Sequence, residues 1–260
     1  MENELLFEVR NGISHVTLNR PQARNALTFA MYEGLAQHAA AIADDPAIKA
    51  LVIKGAGDKA FAAGTDISQF LEFKDGSDGI AYEEKLNRVM EPLERCPKPT
   101  IAAINGACTG GGAAIAAVCD LRIATRSVKI GFPIARTLGN CISMNNIARM
   151  TALVGAARVT DLIFTARLVE ADEALAIGLV TAVVEDQAAL ETRVDELAAI
   201  LASHAPLTMR ATKEQLRRLR EATVALAQSD DLVSMCFGSE DFRNGVRAFV
   251  ERRKPEWAGR

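Results

Sequence analysis

The stretch NGACTGGGAAIAAVCD, residues 105–120, decides the fold. A strand over 100–105 runs into a glycine cluster, an apolar helix is predicted over 112–118, and a further strand over 121–124. The glycine spacing matches neither a dinucleotide fingerprint nor a phosphate-binding P-loop. Three consecutive glycines at a helix start do leave backbone N–H groups unpaired and sterically open, with the helix dipole adding positive potential. An oxyanion fits there, and so does the plainer use of glycine for close helix–strand packing.

Moving outward, KAFAAGTDI at 59–67 leads from a buried strand at 48–53 through small residues to a second helix start. Alone it is an ordinary loop. Beside the glycine cluster it gives two helix N-termini after two strands, a geometry able to aim two N–H donors at one carbonyl oxygen. Strands at 5–10 and 13–18 form a hairpin around Asn11-Gly12, and Thr28 caps a helix running to about Ala43. DGSDG at 75–79 reads as an exposed turn or mobile lid, followed by a helix over 81–95. Beyond Asn140 helices dominate, at 144–153, 156–164, 171–177, 187–203, 206–227 and 241–251, with one strand at 180–184. This alternation is the α/β pattern of a sheet covered by helices.

Composition sets the outer limits. The chain has 260 residues, 49% hydrophobic and 24% charged, as befits a folded globular protein. Thirty basic against 33 acidic residues give a net charge of −3, so no bulk positive field exists to hold nucleic acid. Five cysteines, an odd set without a C-x-x-C pair, predict a reducing compartment and no disulfide framework. The apolar runs are too short for a membrane span, and the acidic N-terminus lacks an export signal, so a cytoplasmic location is expected.

Over nearly its whole length the chain resembles the enoyl-CoA hydratase/isomerase, or crotonase, superfamily. Six ordered motifs carry the resemblance: LNRPQARNAL at 18–27, KAFAAGTDI at 59–67, AAINGACTGGG at 102–112, CDLRIA at 119–124, FTARLVEADEALAIGLV at 164–180 and AFVERRKPEW at 248–257. The resemblance implies a spiral of ββα units over residues 1–195 and a helical trimerisation region over 196–260, with trimers often pairing into hexamers. It also implies acyl-CoA thioester substrates and no metal or redox cofactor. By the same resemblance Thr65 and Gly111 donate backbone N–H groups to the thioester oxygen. Ala62, Gly64, Asp66 and Ile67 line the adenine end of the coenzyme, and Arg24 meets its phosphates. Phe249 and Arg252 match a pair that reaches a neighbouring subunit's ligand. For Arg24 and Arg252 a solvated-surface role is the alternative.

The chain departs from the family where the chemistry is done. Hydratases of the family usually carry two glutamates, for which this chain has Ala114 and Ile134. Neither can move a proton. The loop after Leu138-Gly139 is shortened and offers Arg136, Thr137, Asn140, Cys141, Ser143 and Asn145. Of these, Arg136 and Asn140 are expected at the acyl pocket, where an arginine would pair with a substrate carboxylate. The alternative puts Arg136 in solvent or at a subunit interface and the asparagines at a helix cap. Asp66 reads as a cap, not a base, and His15, His38 and His204 as structural or exposed. Three functions remain open: an enoyl-CoA hydratase-class enzyme using other polar groups, a decarboxylase of a malonyl-type thioester, and a non-catalytic acyl-CoA-binding assembly.

Overall fold

The computed structural model describes residues 3–224 and 229–260. A hairpin opens the chain, β1 (Leu5–Arg10) and β2 (Ile13–Leu18), closed as expected by Asn11 and Gly12, both at positive φ. Helix α1 (Phe29–Ala41) follows, with the Thr28 hydroxyl accepting from Met31 N at 3.2 Å.

Three successive strand–strand–helix units then build the centre. They are β3 (Ala50–Gly55), β4 (Ala60–Ala62) and α2 (Gly76–Arg95); β5 (Thr100–Ile104), β6 (Ala107–Thr109) and α3 (Gly111–Val118); and β7 (Leu121–Thr125), β8 (Lys129–Gly131) and α4 (Ile134–Thr137). In each unit the first strand joins a large sheet and the second a small one. The large sheet has the order β1-β2-β3-β5-β7-β10 and is parallel apart from the β1 hairpin, and the small one has the order β4-β6-β8-β9. The remaining elements are α5 (Met144–Val154), α6 (Ala156–Thr165), β9 (Val169–Glu170), α7 (Ala171–Ala176), β10 (Ala182–Val184), α8 (Gln187–Ser203), α9 (Pro206–Val224), α10 (Asp230–Phe237) and α11 (Glu240–Val250).

Alternation along the parallel strands buries both faces of the large sheet. Ala50, Val52, Ile101, Ala103 and Ile123 meet Leu190, Val194 and Ala198 of α8, while Leu51, Ile53, Ala102 and Ile104 face the main core with α1 and α2. Among the described residues no helix is long and apolar enough to cross a membrane.

Several expectations need correction. DGSDG is not a lid: Asp75 N-caps α2, its carboxylate accepting from Ser77 N at 2.8 Å, while Asp78 accepts from the Asp75 amide, so the segment is a capping box and a first turn. The strand expected at 48–53 begins at Ala50, and the one at 180–184 shortens to Ala182–Val184. The four strands of the small sheet and α10 were not anticipated; the last part of the helix expected over 206–227 lies outside the described residues.

Candidate active site

Strands β4 and β6 pair in parallel, so the loops that follow them leave the small sheet at the same end. The first loop passes through Gly64, whose φ of +102° is one that side-chain-bearing residues rarely adopt, to Thr65. Its flanks are fixed: Leu27 N donates to Gly64 O at 2.8 Å and Asp66 N to Leu27 O at 2.9 Å. That pattern leaves Thr65 N between them without an acceptor among the described residues. In the second loop Gly110 N donates to Gly131 O at 3.0 Å, and Gly111 opens α3, where a first-turn N–H has no intrahelical partner. The two residues are in close contact. A Cβ added to Gly111 would land on the Tyr32 hydroxyl and 3.1 Å from Thr65 Oγ1. Glycine is therefore dictated here first by the Tyr32 hydroxyl of α1, with the Thr65 side chain of the first loop close behind it.

Behind the amides lies a chain of three buried hydroxyls. Thr65 Oγ1 is hydrogen-bonded to Tyr32 Oη at 2.9 Å and to Tyr82 Oη at 3.0 Å. These are the only two tyrosines in the sequence, carried by α1 and α2. Burial pushes both phenols above their ordinary range, so they are neutral donors and acceptors at physiological pH. They clamp the Thr65 side chain from both sides and hold its loop in register.

The amides border a cavity of about 130 Å³. Its wall is mostly apolar, with Ala114, Phe132, Ile134, Leu138 and Ile142. Ala114 and Ile134 thus stand in the cavity where the family's carboxylates were expected. A different carboxylate is present. Glu83 of α2 borders the same cavity at 6% exposure, and its Oε2 has no hydrogen-bond partner. Burial pushes its carboxyl up to about 7, against the opposing pull of the Ser143 hydroxyl and amide. Asn140 Oδ1, also buried without a partner, belongs to the same wall. Its amide nitrogen donates to Cys141 O at 3.1 Å.

The expected site residues divide. Thr65, Gly111, Gly64, Ile67, Asn140 and Phe249 all border the cavity. Phe249 does so in its own chain. Arg136 does not: it is exposed. On the single turn of α4, Pro133, Ile134, Thr137 and Leu138 share the inward face, and positions 135 and 136 project the other way. Ala62 is fully buried in β4 under Gly112, so it presents no surface to a ligand, and Ala63 takes the lining position. Asp66 caps the 3-10 turn that follows, accepting from Ser68 N at 3.2 Å and pairing with Arg20 at 3.1 Å. Burial acts to raise its carboxyl, but the Ser68 and Arg20 hydrogen bonds outweigh that and hold it below the usual range. Arg24 and Arg252 are exposed; Arg24 O accepts from Ala63 N at 3.0 Å, which puts that arginine against the first donor loop. The helix after the shortened loop is capped by Ser143, not by an asparagine. Ser14 holds His38 at 2.7 Å, His38 stacks on Phe7, His15 is buried beside Arg10, and His204 is exposed. Among the described residues no cluster of His, Cys, Asp and Glu has a metal-binding arrangement.

Sequence reasoning missed Glu83 and the two tyrosines. A signal for Glu83 exists: it stands in phase with Gly79, Leu86, Met90 and Leu93, the buried stripe of α2, where a carboxylate has no structural use. No signal in the local sequence ties Tyr32 to Tyr82.

The chain is similar to known proteins over nearly its whole length. Residues 8–260 match the family model of enoyl-CoA hydratase/isomerase. The chain is 36% identical to the short-chain-enoyl-CoA hydratase of Clostridium acetobutylicum, over 98% of this chain and 97% of that one. It is 35% identical to the crotonyl-CoA hydratase of Syntrophomonas wolfei, over 96% of each. Among solved structures it is similar to a methylmalonyl-CoA decarboxylase in complex with 2-nitronate-propionyl-CoA, with a TM-score of 0.89, 28% identity and 99% of both chains covered.

Proposed function

Because this chain belongs to the enoyl-CoA hydratase/isomerase family, we propose that it is a lyase that adds water across the double bond of a short α,β-enoyl-CoA thioester. The observation that carries this reading is the pair of free amides of Thr65 and Gly111 beside one apolar cavity. With the thioester oxygen between them, both N–H groups strengthen as negative charge moves onto it, and losing one such donor costs roughly 2.7 to 4 kcal/mol of barrier. The short acyl group follows the names of two relatives, a short-chain-enoyl-CoA hydratase and a crotonyl-CoA hydratase. The coenzyme would enter past Gly64, Ile67 and Phe249, its phosphates within reach of Arg24. The reaction needs no cofactor beyond the coenzyme A of the substrate. The test is loss of the conjugated-thioester absorbance of crotonyl-CoA. Turnover abolished by Gly111→Pro in a variant that keeps its circular dichroism spectrum supports the reading; turnover no faster than in buffer defeats it.

The likeness to a methylmalonyl-CoA decarboxylase and the presence of Ala114 and Ile134 favour a second reading, decarboxylation of a malonyl-type thioester, which generates its own enolate. Two features weigh against it. Arg136, the cation that would hold the departing carboxylate, is outside the cavity, and Glu83, inside it, would repel that carboxylate when ionised. Release of CO2 from methylmalonyl-CoA, unchanged in Arg136→Ala, would revive this reading without the arginine. Binding of acyl-CoA with no conversion of either thioester would leave a non-catalytic assembly.

A further inference from the structure

Among the described residues, Glu83 Oε2 and Asn140 Oδ1 are buried without a hydrogen-bond partner, and both residues border the cavity that Thr65 and Gly111 also line. An unsatisfied buried acceptor costs about 1–3 kcal/mol, and more when charged. Glu83 could have been satisfied cheaply by exposure, yet α2 turns it into the apolar wall at 6% exposure. Both orphan atoms are acceptors. Each is open to a donor small enough to share the cavity with an acyl group, and water meets that description.

The geometry points to Glu83 as the proton-transferring catalytic residue of this chain, carried by α2 in place of the two absent glutamates, with Asn140 as the second acceptor that positions the attacking water. The inference rests on the thioester site proposed above. In the forward step the Glu83 carboxylate takes one proton from the water while the water oxygen bonds to the β carbon. The π pair moves toward the thioester, and the charge settles on the oxygen between Thr65 N and Gly111 N. The Glu83 carboxyl then returns its proton to the α carbon as the enolate pair forms the new C–H bond. One water is consumed, its H and OH end on adjacent carbons, and Glu83 finishes as it began. A single carboxyl suffices because it acts first as base and then as acid, and a carboxyl poised near neutrality does both. The titratable groups that face it are Tyr32 from α1, Tyr82 from α2 and Cys141 from the segment before α5, with Ser143 as the nearby polar partner.

The test pairs turnover with binding. Glu83→Gln keeps the side chain's shape and removes only the titrating group. Crotonyl-CoA hydration should fall by about 100-fold or more, as for loss of a general acid–base group, while the Kd for butyryl-CoA stays within about threefold because the oxyanion donors are untouched. The wild-type kcat/KM should rise with pH through about 7, and the residual activity of Glu83→Gln should lack that limb. Asn140→Ala should lower kcat by about tenfold and keep the limb. A Glu83→Gln enzyme with near wild-type kcat and the same pH profile overturns the assignment, as does a wild type that binds butyryl-CoA but adds no water to crotonyl-CoA. Failure to bind butyryl-CoA at all is a different result: it removes the thioester site itself, and this inference with it.

Discussion

Thr65 borders the cavity with a backbone N–H that has no acceptor among the described residues, and its hydroxyl is held by Tyr32 at 2.9 Å and Tyr82 at 3.0 Å. The two roles are separable by mutation. Thr65→Val keeps the amide but strands two buried phenols, and each unsatisfied group costs about 1–3 kcal/mol. The variant should lose about 2 kcal/mol or more in urea denaturation, with turnover per folded molecule within about tenfold of wild type. Gly111→Ala drives its methyl onto the buried Tyr32 hydroxyl, so it should lower stability as well, with a larger loss of turnover than Thr65→Val because the second donor residue itself is displaced. Equal turnover in both variants would detach the amides from the chemistry. Glu83 gives a second prediction at this scale. Its carboxyl holds a proton up to about 7 in the folded state against about 4.5 ordinarily, so between those values the folded state binds more protons than the unfolded one. Stability therefore falls as pH climbs through that window and stays lower above it, by about 3 kcal/mol. Glu83→Gln should melt above wild type at pH 8 and together with it near pH 4.5, a gap readable by calorimetry. Identical melting at pH 8 would mean that burial does not perturb the carboxyl. A functional group that destabilises the protein carrying it is the usual signature of a site kept for activity.

Elements explain which residues were legible. The two loops could be read from a marked composition, small residues in one and three glycines in the other, and the structure brings them together, whereas Thr65 and Gly111 within them were singled out only by the family resemblance. The sheet that does so could not be read: β4, β6 and β8 have three residues each and β9 two, shorter than the run of four to eight over which alternation becomes visible. Arg136 was misplaced for a related reason, since one turn of α4 decides inward from outward and a chain of unknown register does not. DGSDG has a turn's composition, but the same Asp, Ser and Gly residues serve a helix start equally well, and its capping box fixes the first turn of the helix that carries Tyr82 and Glu83. Asp75→Ala removes the acceptor for Ser77 N and should lower Tm by about 2 to 4 °C, a change sized for loss of one cap in a domain of this length. If α2 is the arm that positions the acid–base group, the same variant should also lower kcat, with little change in the Kd for butyryl-CoA; an unchanged kcat at a lowered Tm would make the cap purely structural.

At the scale of the molecule, both faces of the large sheet are covered within one chain, by α8 on one side and by α1 and α2 on the other. Apolar surface is left instead on the late helices: Leu207, Leu216 and Leu219 of α9 are 74%, 62% and 70% exposed, and Met235 of α10 is 64% exposed. Leu216 and Leu219 are three residues apart, hence on one face of α9, and Leu216 also borders a groove of about 470 Å³ shared with Met209, Leu153 and Leu201. Large apolar side chains left this exposed on neighbouring turns are common where copies meet. The assembly itself came only from the family resemblance, because no pattern within one chain encodes how many copies close a ring. The expectation is a trimer or hexamer of the 27.9 kDa chain, and light scattering at micromolar concentration decides it. Leu216→Glu together with Leu219→Glu places two charges on the exposed face without touching the core, so it should return the 27.9 kDa mass with an unchanged circular dichroism spectrum. A wild type that already scatters as a monomer would leave those leucines without an assembly role. Loss of crotonyl-CoA turnover in a monomeric but folded double variant would show that a site whose described donors, Thr65 and Gly111, lie within one chain still depends on its neighbours for closure.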